Sequence, residues 1–181
     1  MGARFHEKYK NDVVPALAER FKFKNPNAVP KLQKIVVSMG IGEADTDKAK
    51  LESATKQLAL IVGQQPIVTL AKTSISNFKL RKGMKVGLKV TLRGARMWEF
   101  LDRLVTLAIP RVKDFRGLNP SGFDGRGSYN MGLVEQTVFS EVDPASVTFT
   151  QGMNIAMQTT ARNDEQAREL LTLLGMPFRK G

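Results

Sequence analysis

The chain of 181 residues contains no cysteine. That absence excludes disulfides, thiolate zinc sites and a cysteine nucleophile, so packing alone must hold the fold. Histidine is almost as scarce. His6 is the single one, in a charged amino-terminal stretch with no serine or carboxylate arranged around it, which leaves little for acid–base catalysis. No apolar run approaches the ~20 residues that a membrane span needs, and Met1 to Lys10 lacks a hydrophobic signal core, so the expectation is a chain that stays in the cytoplasm. Gly2 follows Met1, but His6 stands where a myristoylation motif wants Ser or Thr, and no lipid anchor is expected. Acidic residues are also in deficit, with 17 Asp and Glu against 28 Lys and Arg for a net charge of +11. A compact surface carrying that excess attracts polyanions.

What is present is an ordinary globular composition, 42% hydrophobic and 25% charged. Enough apolar surface is available to offset the chain entropy that keeps low-hydrophobicity sequences disordered. The length permits two domains but requires only one, and residues 1–181 are expected to form a single domain. The charge is local. Lys72 to Arg116 holds 12 basic residues against 3 acidic ones, Glu99, Asp102 and Asp114. A solvated basic surface that only aids solubility is the bland alternative, but this concentration favours a polyanion partner.

Phe5, Tyr9, Val13, Leu17 and Phe21 recur every four residues and predict an amphipathic helix from residue 3 to about 21, which Pro15 kinks or restarts. Asn25-Pro26-Asn27 is a turn, and alternation from Lys31 to Met39 predicts a strand ending at Met39-Gly40-Ile41-Gly42. Asp45 or Thr46 caps a helix that runs to Val62 with Gly63 at its end. Strands are expected at Pro66–Lys72 and Met84–Arg93 around a long polar loop, then a helix over 95–108 that Pro110 ends or bends. Phe115 to Tyr129, rich in glycine, reads as a mobile loop. Strands follow at Met131–Phe139 and Val147–Thr160, joined by a turn at 140–146, and Asn163 or Asp164 caps a last helix through Leu174 to Gly175. The pattern is α+β: a largely antiparallel sheet with helices packed on one face and long basic loops. The other sheet face is left for a partner, as RNA-binding domains often arrange it.

Sites of chemistry are scarce. Met39-Gly40-Ile41-Gly42 lacks the third glycine of a dinucleotide fingerprint and no P-loop Gly-Lys-Ser/Thr follows it. A calcium loop begun at Asp45 would place Lys50 where glycine is needed, so Glu43, Asp45 and Asp47 read as helix-capping acids. Met153 and Met157 are core fillers rather than ligands. No catalytic residue, metal site or cofactor is expected. The segment Asn77, Phe78, Lys79, Leu80, Arg81, Lys82, Gly83 and Met84 differs: cations interleave with an aromatic between two strands, so they can neutralise phosphates while Phe78 offers a stacking face. The alternative is that Phe78 and Leu80 tuck into the core and the charges only meet water.

Leu58-Ala-Leu-Ile-Val-Gly-Gln-Gln-Pro-Ile-Val-Thr-Leu-Ala-Lys-Thr-Ser74 resembles the signature of the ribosomal protein L five family. The resemblance continues through Ser76 to Gly83, Lys89 to Gly94, Arg96 to Phe100, Pro110 to Gly117, Phe123 to Gly127 and Pro177 to Lys180. Ser38 departs from it, standing where the family pattern has asparagine before Met-Gly-x-Gly-Glu-Ala. Ser38 keeps a hydroxyl but loses the amide's paired donor and acceptor. The resemblance implies a non-enzymatic, monomeric protein that binds 5S rRNA and helps seat it beside 23S rRNA and other proteins in the central protuberance. It implies 5S contacts from Ser38, Met39, Gly40, Gln64, Thr69, Lys72, Thr73, Ser74 and Arg93. It also implies that the Asn77–Met84 loop faces peptidyl-site tRNA, and that Arg111, Lys113, Asp114 and Arg116, within the Arg111–Tyr129 region, join a bridge to a small-subunit head protein. The competing classes are a general RNA-binding architectural protein or chaperone, which would show little preference among RNAs, and an RNA-acting enzyme, which the missing catalytic constellation disfavours.

Overall fold

The computed structural model describes residues 3–42, 47–147 and 149–179. The amino-terminal helix runs in three pieces, α1 (Arg4–Lys8), a wide π turn (Tyr9–Val13) and α2 (Val14–Phe21), and ends at Lys22 in the left-handed conformation with φ 52°. Pro15 stands in the first turn of α2, where the α-helix restarts after the wide turn. The proline ring has no N–H and would strike the carbonyl of Asn11 in a regular helix, and the wide turn makes room. The same device recurs: α4 (Gly94–Arg103) continues into a π turn (Leu104–Ala108) that ends two residues before Pro110, and a tight turn (Ile109–Arg111) closes the helix.

Strands β1 (Leu32–Gly40), β2 (Ile67–Leu70), β3 (Lys85–Leu92), β4 (Tyr129–Leu133) and β5 (Met153–Thr159) form one sheet in the order β2-β3-β1-β5-β4, antiparallel throughout. Helix α3 (Lys48–Val62) precedes β2, and α5 (Asp164–Leu173) follows β5. Asp47 caps α3 by accepting from the Lys50 N–H, whereas Asp45 and Thr46 lie outside the described residues. The period of two along each strand sends Ile35, Val37 and Met39, Leu88, Val90 and Leu92, and Met153, Ile155 and Met157 to one face. There they meet Leu17, Leu58, Ile61, Phe100, Leu101, Leu104 and Leu170 in one core. Each such side chain removed from water contributes about 1.5–3 kcal/mol before entropy is counted. α3 packs against β3 and α4 against β1 on this face, while Lys89, Asn130 and Asn154 on the other are exposed, so the described helices lie on one side.

Two expectations need correction. β4 is short, and Gln136–Val138 is a 3-10 turn rather than strand, while residues 149–152 lie outside β5. The apolar run that suggested a strand is buried without pairing: Phe139 stacks on Phe100 at 5.9 Å, and Val138 and Val142 join the core. The segment bonds to itself, Phe139 N–H to the Gln136 carbonyl and Val142 N–H to the Phe139 carbonyl, and the fully buried Gln136 side chain ties it to the stretch before β5. Its Nε2 donates to the Phe149 carbonyl at 2.8 Å and its Oε1 accepts from the Gln151 N–H at 2.6 Å. The glycine-rich stretch 115–129 is likewise no mobile loop. Leu118 pairs with Phe178 in an isolated bridge, the rings of Phe123, Tyr129 and Phe178 pack together, and Tyr129 Oη donates to the Asn119 carbonyl at 3.0 Å.

Candidate nucleic-acid interface

Because the helices take one side, the alternate residues of every strand form an uncovered face. The register reads across it in rows. Ile67, Lys89, Ser38, Asn154 and Gly132 lie side by side; Thr69, Gly87 and Gly40 make the next row toward one end; Thr91, Val36, Ala156 and Asn130 make the next toward the other, followed by Lys34 beside Gln158. Amide, hydroxyl and ammonium groups dominate, with Ile67 the large exposed apolar side chain, 73% exposed. Gly87 is required where it stands, because a Cβ there would come within 2.3 Å of the Met39 carbonyl oxygen. Opposite it, a Cβ on Gly40 would meet nothing, so this row presents bare backbone to whatever lies on the sheet.

Of the residues expected to meet 5S rRNA, Ser38, Gly40 and Thr69 stand on this face. Met39 does not: its side chain points to the core, only 2% exposed, because strand alternation turns it away from its two neighbours. Gln64 and Arg93 mark one end of the face. Gln64 Oε1 accepts from Arg96 Nη1 at 3.3 Å and its Nε2 makes a long contact of 3.5 Å to the Thr91 carbonyl, while Arg93 is exposed at the start of α4. Lys72, Thr73 and Ser74 lie exposed at the other end, where β2 leaves the sheet. Sequence reading passed over Lys34, Lys89, Thr91, Asn130, Asn154 and Gln158. The signal was available, since these are the off-phase positions of strands whose in-phase positions are apolar.

The segment between β2 and β3 is a built hairpin rather than a loose loop. Ala71 N–H donates to the Met84 carbonyl and Gly83 N–H to the Ala71 carbonyl, and Ile75 and Leu80 exchange two backbone bonds of 2.9 and 3.1 Å. Ser74 Oγ accepts from the Lys82 N–H at 2.9 Å. The tip is a 3-10 turn, Ser76–Phe78, closed by Lys79 with φ 51°. Phe78 is 78% exposed there rather than tucked into the core, while Leu80 is half-buried. Lys79, Arg81 and Lys82 are exposed around it with Asn77 and Gly83. The ion pairs found among the described residues, Arg4 with Asp102, Arg20 with Glu169 and Arg103 with Glu141, involve no cation of the face or the hairpin.

Arg111, Lys113 and Asp114 rim an open groove of about 310 Å³ whose other wall is Leu133 to Glu135 with Thr137 and Val138. Asp114 bends the chain there with φ 53°, Val134 stands 81% exposed, and Arg116 is exposed just beyond. The mixed apolar and charged lining suits a protein side chain better than a phosphate. The far end of the 111–129 segment is separate. β4 carries the chain from Tyr129, beside Met157, to Leu133, beside Met153, so the Phe123–Ser128 turn lies at the opposite end of the sheet from this groove. In that turn the Asp124 carboxylate is held below the usual carboxylate range by the backbone N–H groups of Ser128 and Arg126, while burial pushes the Tyr129 phenol up. His6 stacks on Trp98 at 5.5 Å, and among the described residues no cluster of His, Asp and Glu could hold a metal ion.

Two family descriptions match consecutive parts of the chain: "Ribosomal protein L5" over residues 25–81, and the C-terminus of the same ribosomal family over 85–178. They meet within the hairpin, yet β2 on one side pairs with β3 on the other and both halves share the core. The chain is similar along nearly its whole length to proteins named "Large ribosomal subunit protein uL5". The one from Thermus aquaticus is 57% identical over 174 residues, 96% of each chain. That from Thermosipho africanus (strain TCF52B) is 56% identical over 174 residues, again 96% of each. That from Leuconostoc citreum (strain KM20) is 53% identical over 180 residues, 99% of this chain and 100% of the relative.

Proposed function

Since the chain belongs to the ribosomal protein L5 family, whose members are components of the large ribosomal subunit and not enzymes, we propose that its uncovered sheet face holds 5S rRNA and fixes it beside 23S rRNA in the central protuberance. The observation that carries this reading is the register of that face, where Lys89, Ser38 and Asn154 stand in one row next to the bare Gly40–Gly87 row. Cations there neutralise phosphates, the glycines let an RNA backbone come close, and the amides and hydroxyls fix its register by hydrogen bonds. Ser38, Gly40 and Thr69 serve from the face, Gln64 and Arg93 from one end, Lys72, Thr73 and Ser74 from the other, and Met39 through its backbone alone.

The hairpin carries Asn77, Phe78, Lys79, Leu80, Arg81, Lys82, Gly83 and Met84 beyond the sheet toward a second RNA, peptidyl-site tRNA. An exposed ring among exposed cations supports this, because base stacking and phosphate neutralisation together serve a strand whose bases are accessible. The groove rimmed by Arg111, Lys113 and Asp114, with Arg116 beside it, receives a side chain of a small-subunit head protein. The free protein is a monomer.

A competition titration at physiological salt tests the central reading. The full chain is expected to prefer 5S rRNA over an unrelated folded RNA of equal length. Equal affinity for both would replace it with the general RNA-binding or chaperone reading.

A further inference from the structure

At the end of the sheet away from the hairpin, a recess of about 320 Å³ opens between the turn after α2 and the junction of β5 with α5. That size is at the low end of the range for small-molecule pockets, roughly 300–1,000 Å³. Its walls are Phe23, Asn27, Ala28, Thr160, Arg162 and Gln166. Phe23 is half-buried and offers a ring; the Asn27 side chain, exposed, offers a donor and an acceptor. Gln166 Oε1 accepts from the Arg162 N–H at 3.3 Å, which fixes the amide and leaves its amino group to donate. The Thr160 hydroxyl accepts from the Lys31 N–H at 3.0 Å and keeps its own proton to give.

Cations surround this recess. Lys22 and Lys24 flank Phe23, and both are exposed. Lys31 is tied to Thr160 from the other side. Arg126 stands exposed on the neighbouring turn, which is packed so closely against Ala161 that a Cβ on Gly127 would lie 2.8 Å from the Ala161 carbonyl oxygen. Two acids of this region are occupied within the protein: Asp124 accepts the N–H groups of Arg126 and Ser128, and Asp164 those of Gly125 and Gly127. An aromatic wall, donors on the opposite side and a ring of phosphate-seeking charge are the elements with which proteins receive a splayed-out base. Among the described residues that line the recess there is no glycine-rich phosphate loop to hold a free nucleotide, so the affinity must come from a polymer's phosphates spread over Lys22, Lys24, Lys31 and Arg126.

We propose that this recess is a socket for one unpaired nucleotide of ribosomal RNA, its base against Phe23 and its phosphate on Arg162, on an RNA segment other than the one on the uncovered sheet face. The proposal rests on the reading of the chain as a large-subunit component. Large subunits assembled with the full chain are irradiated at short ultraviolet wavelength, digested, and searched by mass spectrometry for adducts. A nucleotide attached to a peptide containing Phe23 or Arg162 is expected. Variants Phe23→Leu and Arg162→Gln, each mixed with wild-type chain during assembly, should be incorporated about tenfold less well, the scale set by removing one base stack. Their titration with isolated 5S rRNA should match wild type, which also shows that they fold. Incorporation at parity with no nucleotide adduct overturns the socket. An adduct with another protein's peptide overturns the RNA assignment, and loss of binary 5S binding by Arg162→Gln makes the recess part of the 5S face. Failure of wild-type chain to prefer 5S rRNA would overturn the functional reading instead and leave the adduct result to judge the socket.

Discussion

Asp164, the first residue of α5, grips the turn before β4 through Gly127: its Oδ1 accepts the Gly127 N–H at 3.0 Å while its Oδ2 accepts that of Gly125, also at 3.0 Å. A carboxylate 37 residues away in sequence thus does what a flexible glycine-rich stretch could not do for itself. Both glycines sit at positive φ, 80° and 81°, which lets the two N–H groups converge on one acceptor pair. Asp164→Ala leaves both donors without that acceptor and is expected to cost about 1–3 kcal/mol in denaturant unfolding. Asp164→Asn keeps one oxygen and should fall between. Emission from Trp98, the chain's single tryptophan and only 6% exposed, reports the transition.

The same turn predicts an acid sensitivity. Asp124 Oδ1 accepts from Ser128 and Arg126, both at 2.9 Å, and these bonds favour the charged form. The folded pKa is therefore below the unfolded one. The contribution is complete above the ordinary carboxylate range and is lost as pH falls through the lowered folded value. Amide resonances of Arg126 and Ser128, followed by NMR during acid titration, should shift together with a midpoint below that of an unstructured aspartate. In Asp124→Asn that shared titration should vanish.

Several features of the fold were legible because they follow from local rules. The α+β class and the strands β1 and β3 follow from alternation at Ile35, Val37 and Val90, Leu92, and the last helix follows from its Gly175 end; the expected cap does not form, since Asn163 makes no side-chain capping bond and the Asp164 carboxylate turns to Gly125 and Gly127 instead. What was not legible depended on groups distant in sequence. The 115–129 stretch looks mobile until Asp164 and Phe178 are brought to it, and Val138 and Phe139 look like strand until Phe100 and the core receive their side chains in a 3-10 turn. In the candidate interface, the places of Ser38 and Thr69 on the uncovered face follow from alternation, and Lys89 and Asn154 share that face by the same rule. Met39 lies in the same contiguous motif, but a strand turns only every second side chain to one face, so its side chain is in the core and only its backbone borders the face.

For the sheet face, alanine at Gln64 or Thr69 is expected to weaken 5S rRNA binding by about 1–3 kcal/mol through an RNA group left unpaired, with unfolding unchanged. Thr69 stands beside Gly87 and Gln64 holds Arg96, so neither supports the core. Ser38→Asn should act in the opposite direction. The residue is on the face between Lys89 and Asn154, and the longer amide regains a paired donor and acceptor there. Titrations of the three variants against 5S rRNA check this; a gain in affinity from all three, or no change in any, would move the interface to another surface.

The hairpin gives the sharpest separation of roles. Lys79, Arg81 and Lys82 are exposed around the projecting Phe78, beyond the end of β2, and the backbone bonds between Ile75 and Leu80 hold the tip in place without them. Replacing all three by alanine therefore removes charge without removing structure. Binding of 5S rRNA to the sheet face should be nearly intact. Ribosomes carrying the variant should hold peptidyl-site tRNA less tightly, and the salt dependence of that affinity should flatten by roughly one unit of slope for each phosphate no longer neutralised. Phe78→Ala should weaken tRNA as well but leave the salt slope unchanged, because stacking releases no counterions. Paired measurements of tRNA retention across a salt series separate the two. If the triple variant instead loses 5S rRNA, or holds tRNA with wild-type affinity and slope, the hairpin belongs to the 5S interface or faces solvent.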